Sequence, residues 1–382
     1  MYMKKIIALI IMLLLLAGCG QAVPPATQGA ENQPLRVVAS IFPQYDFVRQ
    51  IAGDRVELTM LLSPGAESHS FEPTPRDIIT LNNADLFIYV YGGAEVWVYP
   101  ILASLERENI YTVALVDLVE TVDQEIVEGM EDGHHHHHDH DHHHGHSHDH
   151  SRDEHHHDHD HSHQHDEHEH SRDHGHEHDH DHDYDPYHDE DEHSHDHGHE
   201  NGHDHGHHLD EHVWTSPRNA IIIVEQLTEI LAQLDPDNAD FFRANAAAYI
   251  TELEALDQAF AEVVAGGVRR TIVVGDRFPF RYLADAYGLS YFAAFAGCAT
   301  ETQASPATIA FLINKVNEEN IPVVFHIEFS CQQIVNVIAE STGARILELH
   351  SAHNVSHADF TAGVTYLDLM TGNLEKLREA LS

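Results

Sequence analysis

Basic residues are scarce in this chain. It sets 19 lysines and arginines against 64 aspartates and glutamates, a formal charge of −45. A surface of that sign repels nucleic acid and excludes a DNA- or RNA-binding role, whereas a small cationic partner suits it. Cysteines number three, too few for a disulfide framework. Cys298 and Cys331 leave two outcomes open in an oxidising exterior, a pair or two free thiols. Long apolar runs are missing as well. The run from Ile6 to Leu16 is too short to span a bilayer as a permanent helix.

What the chain has in excess is histidine. Between His134 and His208 lie 35 of the 41 histidines, leaving His69, His212, His326, His350, His353 and His357 outside. The same stretch holds 23 carboxylates and two arginines, a net −21, so the rest of the chain still carries −24. Almost devoid of apolar side chains, it cannot bury a core and is expected to be disordered. Neutral imidazole is the commonest protein ligand for zinc, copper and nickel, so the tract reads as a loose metal-loading segment rather than a plain acidic spacer. Protease-like spellings occur in and beside it: His176-Glu177-His178-Asp179-His180, His199-Glu200-Asn201-Gly202-His203 and the inverted His208-Leu209-Asp210-Glu211-His212. That chemistry needs both histidines on one face of a buried helix. These segments have no apolar face, and in so His-rich a stretch the matches arise by chance.

Near the start of the chain stand Lys4-Lys5, an apolar run and then Leu16-Ala17-Gly18-Cys19. A basic n-region, short h-region and small residues before the cut read as a secretory signal. The four residues ending at Cys19 look like a bacterial lipobox, which implies cleavage before Cys19 and a lipid on its sulfur. Gln21 to Pro34 reads as a flexible tether.

From Leu35 onward strand and helix patterns alternate. Strands are expected at Arg36–Ser40, Val56–Leu62, Asp85–Val90 and Tyr111–Val116, and helices at Pro43–Ala52, Arg76–Asn83 and Val96–Arg107. After the tract, Ser216–Leu234 is expected to be a helix with the apolar row Ile221, Ile222, Ile223, Leu227 and Leu231. Asp240–Ala265 then forms one long helix ended by Gly266-Gly267. The alternation resumes with strands Thr271–Val274, Ser290–Phe295, Val323–Ile327 and Arg345–Leu349. Helices Phe280–Tyr287, Pro306–Glu319 and Cys331–Ser341 intervene, and a last helix runs from about Ala358. This predicts an α/β protein of two parallel-sheet lobes joined by one long helix, with a cleft between them. The expected organisation is a leader over 1–19, a tether over 20–34 and a first lobe over 35–235 that contains an acidic, His-rich loop at 121–208. A connecting helix over 236–267 and a second lobe over 268–382 complete it. With leader and tract set aside, roughly 290 residues remain, enough for two domains. Ligands of such sheets bind beyond the carboxyl ends of the strands, where His69 lies.

Two motifs carry a resemblance. His69-Ser70-Phe71-Glu72-Pro73-Thr74-Pro75 and Asp210-Glu211-His212-Val213-Trp214-Thr215-Ser216-Pro217 flank the His-rich stretch. With the lipobox upstream, the chain from about Leu35 to its end resembles the zinc- and manganese-binding lipoproteins of ABC importers. The resemblance implies two α/β lobes, one long helix and a metal between the lobes held by three histidines and one carboxylate. Carried over residue by residue, it puts His69 and His212 in the first-lobe ligand positions. The second lobe departs from the family's pattern. The usual histidine after the connecting helix falls on Gly275 in Val274-Gly275-Asp276-Arg277-Phe278, and the usual aspartate after the last strand falls in Leu349-His350-Ser351-Ala352-His353. The expected ligands are therefore His69, His212, His350 and Asp276, with His326, Glu328, Cys298 and His353 as alternatives for the fourth. Glu301 and Glu328 are also candidates for orienting a ligating imidazole, and His357 is expected at the surface or near the cap of the last helix.

Three imidazoles and one carboxylate suit Zn²⁺ in a tetrahedral site better than Mn²⁺, which prefers more oxygen ligands. The resulting expectation is a monomeric zinc receptor, lipid-anchored on the outer face of the cell membrane, that passes its ion to an ABC permease and catalyses no reaction. Two rival readings remain. One is a metal-buffering or adhesive surface lipoprotein. The other is a secreted zinc metallohydrolase, for which Glu211, Glu72 or Glu328 would have to serve as general base without a supporting motif.

Overall fold

Leu35-Arg36-Val37-Val38-Ala39 is apolar toward both sides, a pattern tolerated only in a sheet covered on both faces. A computed structural model describes residues 33–67, 71–91, 95–105, 110–130, 209–297, 299 and 303–382. In it this segment is strand β1 (Leu35–Ala39), with Val37, Val38 and Ala39 buried. It is followed by α1 (Phe42–Ala52), β2 (Val56–Met60), α2 (Pro75–Asn83), β3 (Leu86–Tyr89), α3 (Val98–Ser104) and β4 (Tyr111–Ala114). The strands form a parallel sheet in the order β2-β1-β3-β4. The Arg36 guanidinium and backbone N–H both reach Asp85, which pins the start of β1 beside β3. Local chemistry sets the helix ends. Pro43 sits in the first turn of α1, where no donor is lost, and Gly53 stops the helix at φ 56°. Thr74 and Asp77 cap α2 reciprocally.

Past the His-rich stretch, α4 (Pro217–Leu234) leads into the long α5 (Ala239–Gly266). Its 28 residues span ~42 Å. Phe242, Ala246, Tyr249, Leu253, Leu256, Phe260 and Val264 are its buried positions, spaced to make one apolar stripe. That stripe serves both lobes. It lies against α1 and α4 of the first and against the last helix of the second. One apolar cluster thus runs from Val37 and Leu86 in the first sheet to Val274 and Phe325 in the second.

The second lobe comprises β5 (Thr271–Phe278), α6 (Arg281–Tyr287), β6 (Ser290–Ala296), α7 (Pro306–Glu318), β7 (Val323–His326), α8 (Gln333–Thr342), β8 (Arg345–Glu348), α9 (His357–Ala362) and α10 (Tyr366–Leu381). Its sheet is again parallel, in the order β6-β5-β7-β8. Among the described residues no helix is long and apolar enough to cross a membrane.

Three details differ from expectation. The final helix is two helices, because Gly363 turns left-handed at φ 77° and Thr365 caps a fresh start with Asp368. Strand β5 does not stop at Val274 but continues to Phe278 through a register shift between Val274 and Arg277. Ile222 is 38% exposed, since the buried face of α4 is set by Ala220, Ile223, Val224, Leu227 and Leu231.

The loop after β8 is tied to the first lobe residue by residue. Trp214 Nε1 donates to Ser351 O at 2.8 Å, Phe42 N to His353 O at 3.3 Å and Gly65 N to Val355 O at 2.8 Å. Asn354 Nδ2 donates to both Ser63 O and Ala66 O. Below it, Tyr366 N, at the start of α10, donates to the buried Asp46 of α1 at 2.6 Å.

Candidate metal centre

His212 enters from a short crossing of two chain segments. Asp123 and Leu209 form an antiparallel bridge, and Asp210 N donates to Val122 O. The Tyr282 hydroxyl donates to Asp210 O at 2.6 Å. The backbone is thereby fixed just before His212, which is 2% exposed. Asp210 Oδ1 accepts the His212 backbone N–H at 2.9 Å and lies 3.0 Å from Nδ1. A proton held at Nδ1 by that carboxylate leaves the Nε2 lone pair for a cation and makes the imidazole a stronger base. Gly297 backs the ring. A Cβ there would stand 3.1 Å from His212 Cε1, 3.2 Å from Nδ1 and 2.9 Å from Phe278 O, so only glycine lets the ring seat.

The ring faces a cavity of about 40 Å³ between the lobes, on the scale of one ion with a water or two. Ala66, Glu67 and His212 line it from the first lobe. Arg277, Pro279, Gly297, Ile327, Glu328, Phe329, Ser351, His353 and Asn354 line it from the second. The His212 and His353 rings are 6.1 Å apart, and Trp214 packs edge-on against His353 at 5.4 Å. Glu328 is aimed by Ser351, whose N–H donates to Oε2 at 2.7 Å and whose hydroxyl donates to Oε1. Two imidazoles and two carboxylates, those of Glu67 and Glu328, therefore line one small space. Among the described residues no three His, Cys, Asp or Glu side chains stand close enough to form a complete metal cage.

Of the residues singled out from sequence, His212, His353 and Glu328 line one cavity, while His69, Cys298 and Cys19 lie outside the described residues, as do Glu301 and the His-rich tract. His350 does not line the cavity. Its Nδ1 accepts the Ala352 N–H at 2.9 Å and sits 3.7 Å from Glu328 Oε2. Ala352 has φ 59°, and this left-handed turn separates the facing of His350 from that of His353. Asp276 does not line the cavity either; its Oδ1 accepts the Arg277 N–H at 2.8 Å. His326 is buried with Nδ1 on Ile327 O at 2.8 Å. His357 opens α9 and is exposed, and Cys331 is a free, exposed thiol. The departure at Gly275 has a steric reason. A Cβ there would lie 2.5 Å from Val335 Cγ1 and 3.2 Å from Val335 N, so β5 is packed too tightly on α8 to carry an imidazole.

Residues that sequence reasoning missed include Asp210, Gly297 and Arg277. Only Asp210 left a signal, standing two places before a candidate ligand in the same motif. Nearby, Glu95 is fully buried beneath the carboxyl ends of β1 and β3 and accepts the Val90 N–H at 2.7 Å. Burial pushes its carboxyl up to about 7, against hydrogen bonds from Ser40 and Val90 and reinforced by the charge of Glu211.

Comparison with known proteins gives concordant results. The family described as zinc-uptake complex component A, periplasmic, matches residues 37–380. The zinc-binding lipoprotein AdcA of Streptococcus pneumoniae serotype 4 is 27% identical over 384 residues, covering 99% of this chain but 61% of that protein. This chain therefore spans about three-fifths of that relative's length. The high-affinity zinc uptake system protein ZnuA of Bacillus subtilis is 26% identical over 368 residues, covering 96% of this chain and 94% of the relative. The crystal structure of the Zn(II)-bound ZnuA-like domain of S. pneumoniae AdcA superposes with a TM-score of 0.62 at 23% identity, covering 91% of this chain and 99% of that one. At that identity the superposition speaks to the fold, two parallel-sheet lobes joined by a long helix.

Proposed function

The chain belongs to the zinc-uptake complex component A family, and from that premise we propose that it is an extracytoplasmic receptor that captures Zn²⁺ and delivers it to an ABC permease. The observation that carries the reading is the small inter-lobe cavity lined by His212, His353 and Glu328. Imidazole nitrogens and one carboxylate are the donor set of four-coordinate zinc, and they favour zinc over manganese. His212 offers Nε2 because Asp210 occupies its other nitrogen. His353 takes the second-lobe histidine role in place of His350, and Glu328 takes the carboxylate role in place of Asp276. His69 completes the set through its motif. Lipidation at Cys19 anchors the receptor to the outer face of the membrane, where it acts as a monomer. The His-rich tract raises the local zinc concentration. Binding and release are the whole activity, and no bond is broken.

Single-site variants test the ligand set. Removing one of four ligands is expected to cost about a quarter of the ~10–16 kcal/mol apparent for a complete zinc site, roughly 70- to 900-fold in affinity. His353→Ala and Glu328→Ala should show losses of that order by chelator competition, and His350→Ala should stay within tenfold of the parent. A His350→Ala protein that loses zinc while His353→Ala binds within twofold of the parent would overturn the assignment.

A further inference from the structure

A cavity meant for a divalent cation contains a fixed positive charge. Arg277, carried at the end of β5 beyond its register shift, lines the same space as His212, His353 and Glu328. Its side chain is 15% exposed, and a guanidinium stays charged at any working pH. Like charges repel more strongly in a half-buried space than in water, so an arginine here works against the ion. It has one ion pair in the described structure. Nη2 donates to Glu67 Oε1 at 3.2 Å, across the lobes and 210 residues away in sequence.

Glu67 is reachable from solvent. Its side chain is 42% exposed, and it follows directly on the segment tethered at Ser63, Gly65 and Ala66 to Asn354 and Val355. With the pair formed, Glu67 draws the guanidinium charge to itself. With the pair broken, the charge faces the ion.

Resting on the zinc-receptor reading above, we infer that Arg277 is a release residue, a built-in cation masked by Glu67 that tunes how fast the cavity gives up its metal. Its cost to affinity then serves delivery, since an ion held by imidazoles and a carboxylate with no opposing charge leaves more slowly. Glu67 is the point at which an outside contact, such as the permease surface, would act on the site.

The full-length protein, loaded with one equivalent of Zn²⁺, is mixed with excess chelator. Loss of the ion is followed by tryptophan fluorescence, since Trp214 packs on both cavity imidazoles and the His-rich tract holds no tryptophan. A chromophoric chelator reports the same release independently. The expected results are roughly tenfold slower release for Arg277→Gln and roughly tenfold faster for Glu67→Gln. The double variant should return toward the parent, and Arg277→Lys, which keeps the charge, should release like the parent. Metal-free melting temperatures identify any variant that is merely misfolded. Release from Arg277→Gln at the parental rate or faster overturns the inference, and so does an Arg277→Lys protein that behaves like Arg277→Gln. If the parent itself gives neither a fluorescence change nor a stoichiometric tight site, the zinc-receptor reading fails first, and that outcome is recognised before any variant is compared.

Discussion

Gly297→Ala puts the seating of His212 to a quantitative test. The added methyl would meet Phe278 O at 2.9 Å and the imidazole at 3.1–3.2 Å, against an ordinary carbon contact of about 3.5–4.0 Å. Phe278 O belongs to β5 and has little room to retreat, so the ring must give by several tenths of an ångström. Overpacking of this kind costs ~1–3 kcal/mol. In a protein of this size that lowers the metal-free melting temperature by roughly 2–10 °C. The displaced ring also loosens its 3.0 Å contact with Asp210, and disturbing such an orienting partner typically costs ~10–100-fold in metal affinity. Both effects appear in one experiment, thermal melts with and without Zn²⁺, because stabilisation by ligand scales with the logarithm of its concentration over Kd. The zinc-induced rise should shrink by ~1.4–2.7 kcal/mol in addition to the lower metal-free baseline. A variant whose metal-free melt falls but whose zinc-induced rise matches the parent would refute the claim that Gly297 serves the ligand rather than the packing.

Two further outcomes follow from packing and burial. Gly275→His should not improve zinc binding and should lower stability by more than ~2 kcal/mol, because its Cβ would collide with Val335; tighter binding without loss of stability in calorimetry and denaturant titrations would contradict this. Glu95 has a folded-state value of about 7 against an ordinary 4.5, so the native state keeps its proton longer than the unfolded chain. Stability from this group is then complete below pH 4.5, falls as pH rises toward 7, and is flat above, a loss of at most about 3 kcal/mol. Glu95→Gln should gain stability over the parent at pH 8 and not at pH 4, and equal pH slopes for the two proteins in urea titrations would remove Glu95 as the cause.

The architecture was legible in the sequence because its signals are repetitive. Short apolar strands, helices started by Pro43, Pro217 and Pro306, and one uninterrupted helical pattern from Asp240 leave few alternatives. The second-lobe face of the site was less legible. His350 and His353 lie three residues apart after the same strand, and a single left-handed residue, Ala352, decides which one turns toward His212. Nothing in the residue type alanine announces that conformation. Arg277 was hidden for a similar reason, since the register shift in β5 changes which side chain points into the cavity. Gly297 owes its role to a ring contributed from 85 positions earlier, a proximity no local pattern encodes.

The docking of the Ser351–Val355 loop also dictates an order of events during synthesis. Tyr366 and its partner Asp46 are 320 residues apart, and Ser351 lies 137 residues beyond Trp214. The segment that finishes the cavity emerges from the ribosome after everything it binds to. Pairings this distant pay their loop-closure entropy late and slow the final step. Until then Trp214 Nε1 and Phe42 N lack the carbonyl partners that this loop brings. The cavity around His212 is thus finished only on completion of the fold.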